Sequence, residues 1–272
     1  MSKVIGLPER RPLLERFSFR LLFLGAVTVL ALLVMALIIY PLSHTIYGIF
    51  VVDGSVTLDP FRRLAAARGL AAIMQNTVIY TVGTLVLGSL IGVFLAWANE
   101  RTDARMESLV GILPIMPLMV PPIGAAIGYV VLFSDRSGIG NVVLRRIFGI
   151  EGNSGPINIG SMEGLIILSS ISMAPVAYLI VSAALRNVDP ALDEASRVSG
   201  ASPMRTLWRV TLPVVMPALS SSALLLGIHA VSNFTFPFII GTGAGITTAS
   251  VYIYRLFAVF PPNPSAAVAL SL

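Results

Sequence analysis

Charge-free apolar runs alternate with short polar segments along this chain, a pattern that predicts an all-α polytopic membrane bundle. A helix rises ~1.5 Å per residue, so crossing ~30 Å of hydrocarbon takes ~20 residues. Five runs reach that length and a sixth begins. The first is Leu21–Tyr40, flanked by Arg10, Arg11, Arg16 and Arg20 on one side and Pro41 on the other. It is too long for a signal-peptide core and no clear small-residue cleavage site follows, so it reads as a retained anchor. The second, Gly69–Asn99, has its membrane part at Ala72–Trp97 and is followed by a turn at Glu100–Glu107.

The third run, Ser108–Ser134, is interrupted by Pro114, Pro117, Pro121 and Pro122, each of which removes a backbone donor. Broken backbone in lipid needs protein or water to satisfy it, so this span is expected to face the bundle interior or a pathway; a kinked packing helix is the simpler alternative. Gly164–Leu185 is the fourth run. The long stretch from Val210 to Tyr254 holds one ionisable side chain, His229, and divides into a fifth span at Pro213–Phe236 and a re-entrant or outer segment. Gly241, Gly243 and Gly245 mark that segment as turn-rich. Pro261, Pro262 and Pro264 precede Ser265–Leu272, a sixth span that reaches only ~12 Å, which suggests a fragment or one half of a longer protein. The organisation expected is residues 1–20 as a polar N-terminal segment, 21–68 as the first helix and outer loop, and 69–272 as the core.

Composition agrees: 56% of the 272 residues are hydrophobic, 11% are charged, and mean hydropathy is +0.89. An ordinary soluble domain carries roughly a quarter charged residues. The net charge of +5 comes without a basic tract interleaved with aromatics, so it reads as headgroup contact and not as nucleic-acid affinity. With the N-terminus in the cytoplasm, eleven of the eighteen positive residues fall on that side, a modest bias of the expected sign, because Arg62, Arg63, Arg68, Arg136, Arg145 and Arg146 lie outside.

Several chemistries are excluded. Without cysteine there is no disulfide, thiolate catalysis or Cys-ligated metal. The one lysine, Lys3, follows no glycine loop, so no phosphate cradle for nucleotide hydrolysis can form, and no HExxH or nucleophile motif occurs. The chain is not expected to be an enzyme or to hold a cofactor or metal.

Asn187–Pro213 is the most informative stretch. Asp189 with Pro190 reads as a cap and helix start, Gly200 as a stop, and Ser202 with Pro203 as a second cap and start. Two short helices meeting at a glycine corner are the result. The first carries Leu192, Ala195, Ser196 and Ser199 as a small-residue surface and Asp193, Glu194 and Arg197 as charges. An isolated helix this short is marginal in water, so it should dock on something; a solvated linker face is the alternative.

Glu194, Ala195, Ser196, three residues, Gly200, nine residues, then Val210, one residue, Leu212 and Pro213 match the spacing of the EAA loop of ABC importer permeases. Ser196 stands for the usual second alanine and Val210 for isoleucine. Segments 75–103 and 113–129 are also similar to that family's core, so the resemblance covers the chain from about residue 70 on. It implies a bacterial inner-membrane permease of five full transmembrane helices plus a truncated sixth. Its 187–213 loop would be gripped by a separate ATPase subunit that consumes the ATP, with an extracytoplasmic solute-binding protein and a second permease half as further partners. By position, Glu194 would contact the ATPase, Ala195 and Ser196 would allow close approach, Gly200 would set the corner, and Leu212 and Pro213 would join the loop to the fifth span.

The segments SDRSGIGNVVLRRIFGI, GPINI and FPFIIGTGAGITTASVYIYRLFAVFPPN are most similar to the ferric-iron-type subgroup, whose members often carry two repeats in one chain, so this would be an N-terminal half. Thiamine, a polyamine such as putrescine, sulfate or a phosphonate are the alternative substrates that the resemblance implies. A gradient-driven carrier is the alternative mechanism and would need His229 or backbone carbonyls to couple it. Pro121, Pro122, His229 and Asn233 are the candidate path residues, with a histidine packed between helices as the other reading of His229. His44 has no matching ligand cluster and reads as interfacial.

Overall fold

A computed structural model describes residues 13–52, 55–102, 112–152 and 154–272. The start of the third span and most of the turn at Glu100–Glu107 lie outside these residues, as do Lys3, Arg10, Arg11 and Arg105. Helix α1 (Leu13–Phe50) continues through Pro41, ten residues past the expected end at Tyr40. In lipid, exposed backbone has no other partner, which favours carrying the helix through a proline. No position in its apolar stretch is buried, until Ile49 packs with Leu64 and Ala269 at its far end. A small antiparallel hairpin, β1 (Val51–Val52) and β2 (Ser55–Val56), follows and leads to α2 (Asp59–Ala65). Strands of two residues are too short to leave an alternating signal, so the all-α expectation missed them.

The second span is α3 (Leu70–Arg101), and its pattern is that of a soluble helix turned inside out. Val78, Val82, Val86, Leu90 and Phe94 are each at least 51% exposed, whereas Thr84, Gly88, Gly92 and Ala96 are buried at four-residue intervals on another face. Large apolar side chains outside and small residues at the helix contact are the arrangement a bilayer favours.

A tight turn at Leu113–Ile115 and the single-turn α4 (Met116–Met119) come next, then α5 (Pro122–Phe133). The two pieces are bent by 106°, so the third span is a sharp break, not a kinked helix. Pro121 removes an N–H and pushes Val120 into extended backbone at φ −95° and ψ 123°, which ends α4 there. Helix α6 (Ile139–Phe148) is held by buried Asn141, whose Nδ2 donates to the Ile157 carbonyl at 2.9 Å while its Oδ1 accepts from the Ile157 N–H at 3.1 Å.

The fourth span, α7 (Met162–Asn187), contains the expected Gly164–Leu185 and packs along α3. Inside the contact the Tyr80 hydroxyl donates to Ser169 Oγ at 3.0 Å. Hydrogen bonds between membrane helices contribute modestly, so Tyr80→Phe should lower stability by about 1 kcal/mol or less, read as a small fall in thermal midpoint in detergent.

Helices α8 (Pro190–Val198) and α9 (Pro203–Thr206) form the connecting loop, and α10 (Leu212–Ser232) is the fifth span, packed on both α3 and α7. It ends at Asn233, short of the expected Phe236, because Asn233 turns to extended backbone at ψ 117°. The turn-rich segment is present: a wide turn at Pro237–Gly241, a tight one at Thr242–Ala244, and Gly245 at φ +75°. Two shorter helices follow, α11 (Ala249–Ala258) and α12 (Pro264–Ser271). By length and composition the described residues hold four membrane-crossing helices, or five when the bent α4–α5 pair is one span.

Candidate functional site

The loop between α7 and α10 is shaped by its caps. Asp189 Oδ1 accepts from the Ala191 N–H at 2.9 Å and Pro190 takes the first helical position, which starts α8. Gly200 ends the helix at φ +83°, with its N–H donating to the Arg197 carbonyl at 2.9 Å and the Ala201 N–H donating to the Ser196 carbonyl at 3.1 Å. Ser202 Oγ then accepts from the Arg205 N–H at 3.4 Å and Pro203 starts α9. These are the caps and the corner that the sequence predicts.

Beyond the corner the helical run is unbroken from Pro203 to Ser232, with a wide π-type turn at Leu207–Thr211. A proline ring inside a helix crowds the carbonyl four residues back, here that of Arg209 in the widened turn. The wider turn lets Pro213 sit within the run, where the sequence suggested a boundary. Val210 and Leu212 are half-buried in it.

Outward-facing groups of α8 are Ala191, Leu192, Glu194, Ala195, Arg197 and Val198, all exposed, with Val198 at 89%. Asp193 belongs to this helix, but its side chain lies outside the described set. Ser196 is different from the expectation: it is half-buried, and its hydroxyl is 2.9 Å from that of buried Thr206. The two hydroxyls tie α8 to α9 across the corner. A serine here provides a hydrogen bond that alanine would lack, so its place is inside the elbow and not on the outer face.

At the root of the elbow is a polar cluster that counting charges for orientation did not reveal. Glu100 Oε1, at the end of α3, accepts from Asn99 Nδ2 at 2.9 Å, from Arg186 Nε at 2.9 Å and from Ser182 Oγ. Arg101 Nη2 donates to the carbonyls of Leu185 at 2.9 Å and Val188 at 3.3 Å, two buried residues at the end of α7.

Higher in the bundle lies a cavity of about 420 Å³. It is lined by Pro117 and Pro122 of the broken span, Ser172 of α7, and His229, Ser232 and Asn233 at the end of α10. Three of the four path candidates, Pro122, His229 and Asn233, thus meet at one space, and Pro121 sits one residue earlier at the bend. His229 is exposed toward this space and is not packed between helices. The lining mixes apolar surface with a few hydroxyl, amide and imidazole groups. Among the described residues no three His, Cys, Asp or Glu side chains converge to hold a metal.

Comparison with known proteins agrees with this geometry. Residues 88–272, more than half of the chain, match the family described as binding-protein-dependent transport system inner membrane component. The ferric transport system permease protein FbpB of Actinobacillus pleuropneumoniae is 23% identical over 231 residues, covering 85% of this chain and 33% of that protein. The chain therefore spans about a third of the length of that relative. The sn-glycerol-3-phosphate transport system permease protein UgpA of Yersinia pestis is 31% identical over 218 residues, covering 74% of this chain and 72% of the relative. In fold, the chain is similar to a chain of a bacterial ABC transporter involved in the import of the acidic polysaccharide alginate, with a TM-score of 0.77 at 19% identity over 95% of this chain and 91% of that one. Apolar helices turned outward, an elbow with the family's spacing and the match itself lead to one assignment: the chain is a multi-pass membrane protein of the binding-protein-dependent transport system inner membrane component family, the permeases of ABC importers.

Proposed function

We propose that this chain is one permease half of an ATP-driven importer, with its N-terminus and the 187–213 elbow in the bacterial cytoplasm. A separate ATPase subunit holds the outer face of α8, a solute-binding protein delivers cargo from the other side, and a second permease half completes the path. The observation that carries this reading is the elbow: a nine-residue helix, capped at both ends, projects Leu192, Glu194, Ala195 and Val198 away from its own chain. Small and apolar side chains with one acidic group suit a helix lying in a groove of a partner. Residues 69–272 act as the permease core, and ATP is consumed by the partner, not by this chain.

The cargo is ferric iron or another small charged solute, a reading supported by the ferric relative and by the ferric-type segments of the sequence. Thiamine, polyamine, sulfate and phosphonate are the competing cargoes for uptake assays.

Glu194→Arg is the direct test. It reverses one charge on the exposed face of α8 and touches no span. Membrane insertion should be unchanged, while co-purification of the ATPase and ATP-driven uptake should fall by about tenfold or more, the scale of a lost interface charge contact. Wild-type uptake and co-purification in Glu194→Arg membranes would show that α8 is not the docking helix. Uptake that collapses with an uncoupler yet persists without the ATPase would favour a gradient-driven carrier instead.

A further inference from the structure

The elbow is tied to the bundle at two places of different strength. On one side α9 continues without a break into α10. On the other, α8 follows α7 after two residues of extended backbone, Val188 with ψ 126° and the cap Asp189 with ψ 121°. A joint of two extended residues transmits a push poorly unless something holds it.

Arg101 spans that joint. Its Nη2 binds the carbonyl of Leu185, in the last turn of α7, and that of Val188, the residue directly before the Asp189 cap of α8. One guanidinium from α3 thus holds the last turn of α7 together with the first residue of the joint that leads to α8. Beside it Glu100, whose side chain is 8% exposed, binds Arg186 in the last turn of α7 and Ser182 about one turn further back. Charge-assisted hydrogen bonds to fixed carbonyls are the stiffer kind, and one nitrogen, Nη2, reaches both carbonyls from a rigid planar group. Ser172, which lines the cavity, is on the same α7, ~24 Å from Val188 by helical rise.

We propose that Arg101 and Glu100 form a latch that fixes the hinge at Val188, so that movement of the elbow swings α3 and α7 as one lever into the wall of the cavity. Both are positioning residues. They act on transport through α7 and α8 and touch neither cargo nor the proposed ATPase surface. The inference rests on the function proposed above and adds to it the element that makes docking productive. Without the latch, α8 remains capped by Asp189 and Gly200 and still docks, but its motion is absorbed at Val188.

The test is the ratio of solute imported to ATP hydrolysed, measured with the full transporter, ATPase and binding protein included, in vesicles. Arg101→Ala should insert, keep the ATPase bound and keep hydrolysing ATP, while the ratio falls about tenfold, the factor that corresponds to one charge-assisted hydrogen bond. Arg101→Lys, which keeps the charge on a shorter stem without the rigid planar group, should recover part of the ratio. Glu100→Gln keeps an acceptor for Ser182 and loses the ion pair, and should give a smaller fall of the same kind. A merely structural role would lower the amount of inserted transporter and leave the ratio alone. A wild-type ratio in inserted Arg101→Ala overturns the latch; should Arg101→Ala fail to insert, a wild-type ratio in Glu100→Gln overturns it. If wild-type vesicles themselves show no ATP-driven uptake, the function reading fails and the latch with it.

Discussion

Gly200→Pro should abolish ATP-driven uptake, with at least about a hundredfold loss, while leaving the protein inserted in the membrane. Gly200 sits at φ +83°, and a proline ring locks φ near −65°, so the corner between α8 and α9 cannot form. The substitution also deletes the N–H that donates to the Arg197 carbonyl at 2.9 Å. None of the spans contains Gly200, so the damage is confined to the elbow. Gly200→Ala makes a graded control. A Cβ there would meet nothing within 4 Å, so its cost is backbone strain alone, about 1–2 kcal/mol. Uptake in Gly200→Ala should therefore fall between wild type and Gly200→Pro. Comparable uptake in all three, measured in vesicles with equal amounts of inserted protein, would mean that the corner has no part in coupling.

The elbow was legible in the sequence because every signal that shapes it is local. Asp189 with Pro190, Gly200, and Ser202 with Pro203 each act within a few residues of themselves. The spans were legible for a similar reason, since length and apolarity need no partner. What stayed hidden depends on pairs far apart in the chain. Arg101 and Leu185 are separated by 84 positions, and nothing in either segment announces the other. Prolines 114, 117, 121 and 122 announce a break in the third span, but the 106° between its pieces is a tertiary quantity that no dipeptide encodes. Ser196 was placed on the docking face because of its size, and its hydroxyl instead found Thr206 across the corner. The four-residue rhythm of Thr84, Gly88, Gly92 and Ala96 was in plain view, but a search for charge-free runs does not weigh small residues against large ones.

A shared geometry links elbow and cavity. Its two ends lead into α7 and α10, and those two helices supply Ser172, Met173, His229 and Ser232 to the cavity wall. A displacement of α8 is therefore led to both sides of the same space. Under the proposed function, closure of that space needs no further relay, provided that α7 and α3 move together.

That provision makes the contact between α3 and α7 the most sensitive place in the bundle, and Gly92→Leu should disrupt it. A Cβ on residue 92 would lie 2.6 Å from the Ala174 carbonyl oxygen, 2.6 Å from Ala177 Cβ and 2.9 Å from the Tyr178 backbone nitrogen. Two of these three obstacles are backbone atoms of α7, which cannot move aside as a side-chain tip can. The helices would have to separate along a seam where Ala96, Tyr178 and Val181 are buried. Overpacking of this kind costs about 3 kcal/mol, the upper end for a well-packed core, and for a chain of this size that lowers the thermal midpoint by about 5 °C. Gly25→Leu, on the exposed face of α1 where a Cβ would meet nothing within 4 Å, inserts the same side chain without the clash and should leave the midpoint unchanged. Thermal unfolding of the two variants in one detergent decides the matter: equal midpoints would mean that α3 and α7 do not approach each other at Gly92.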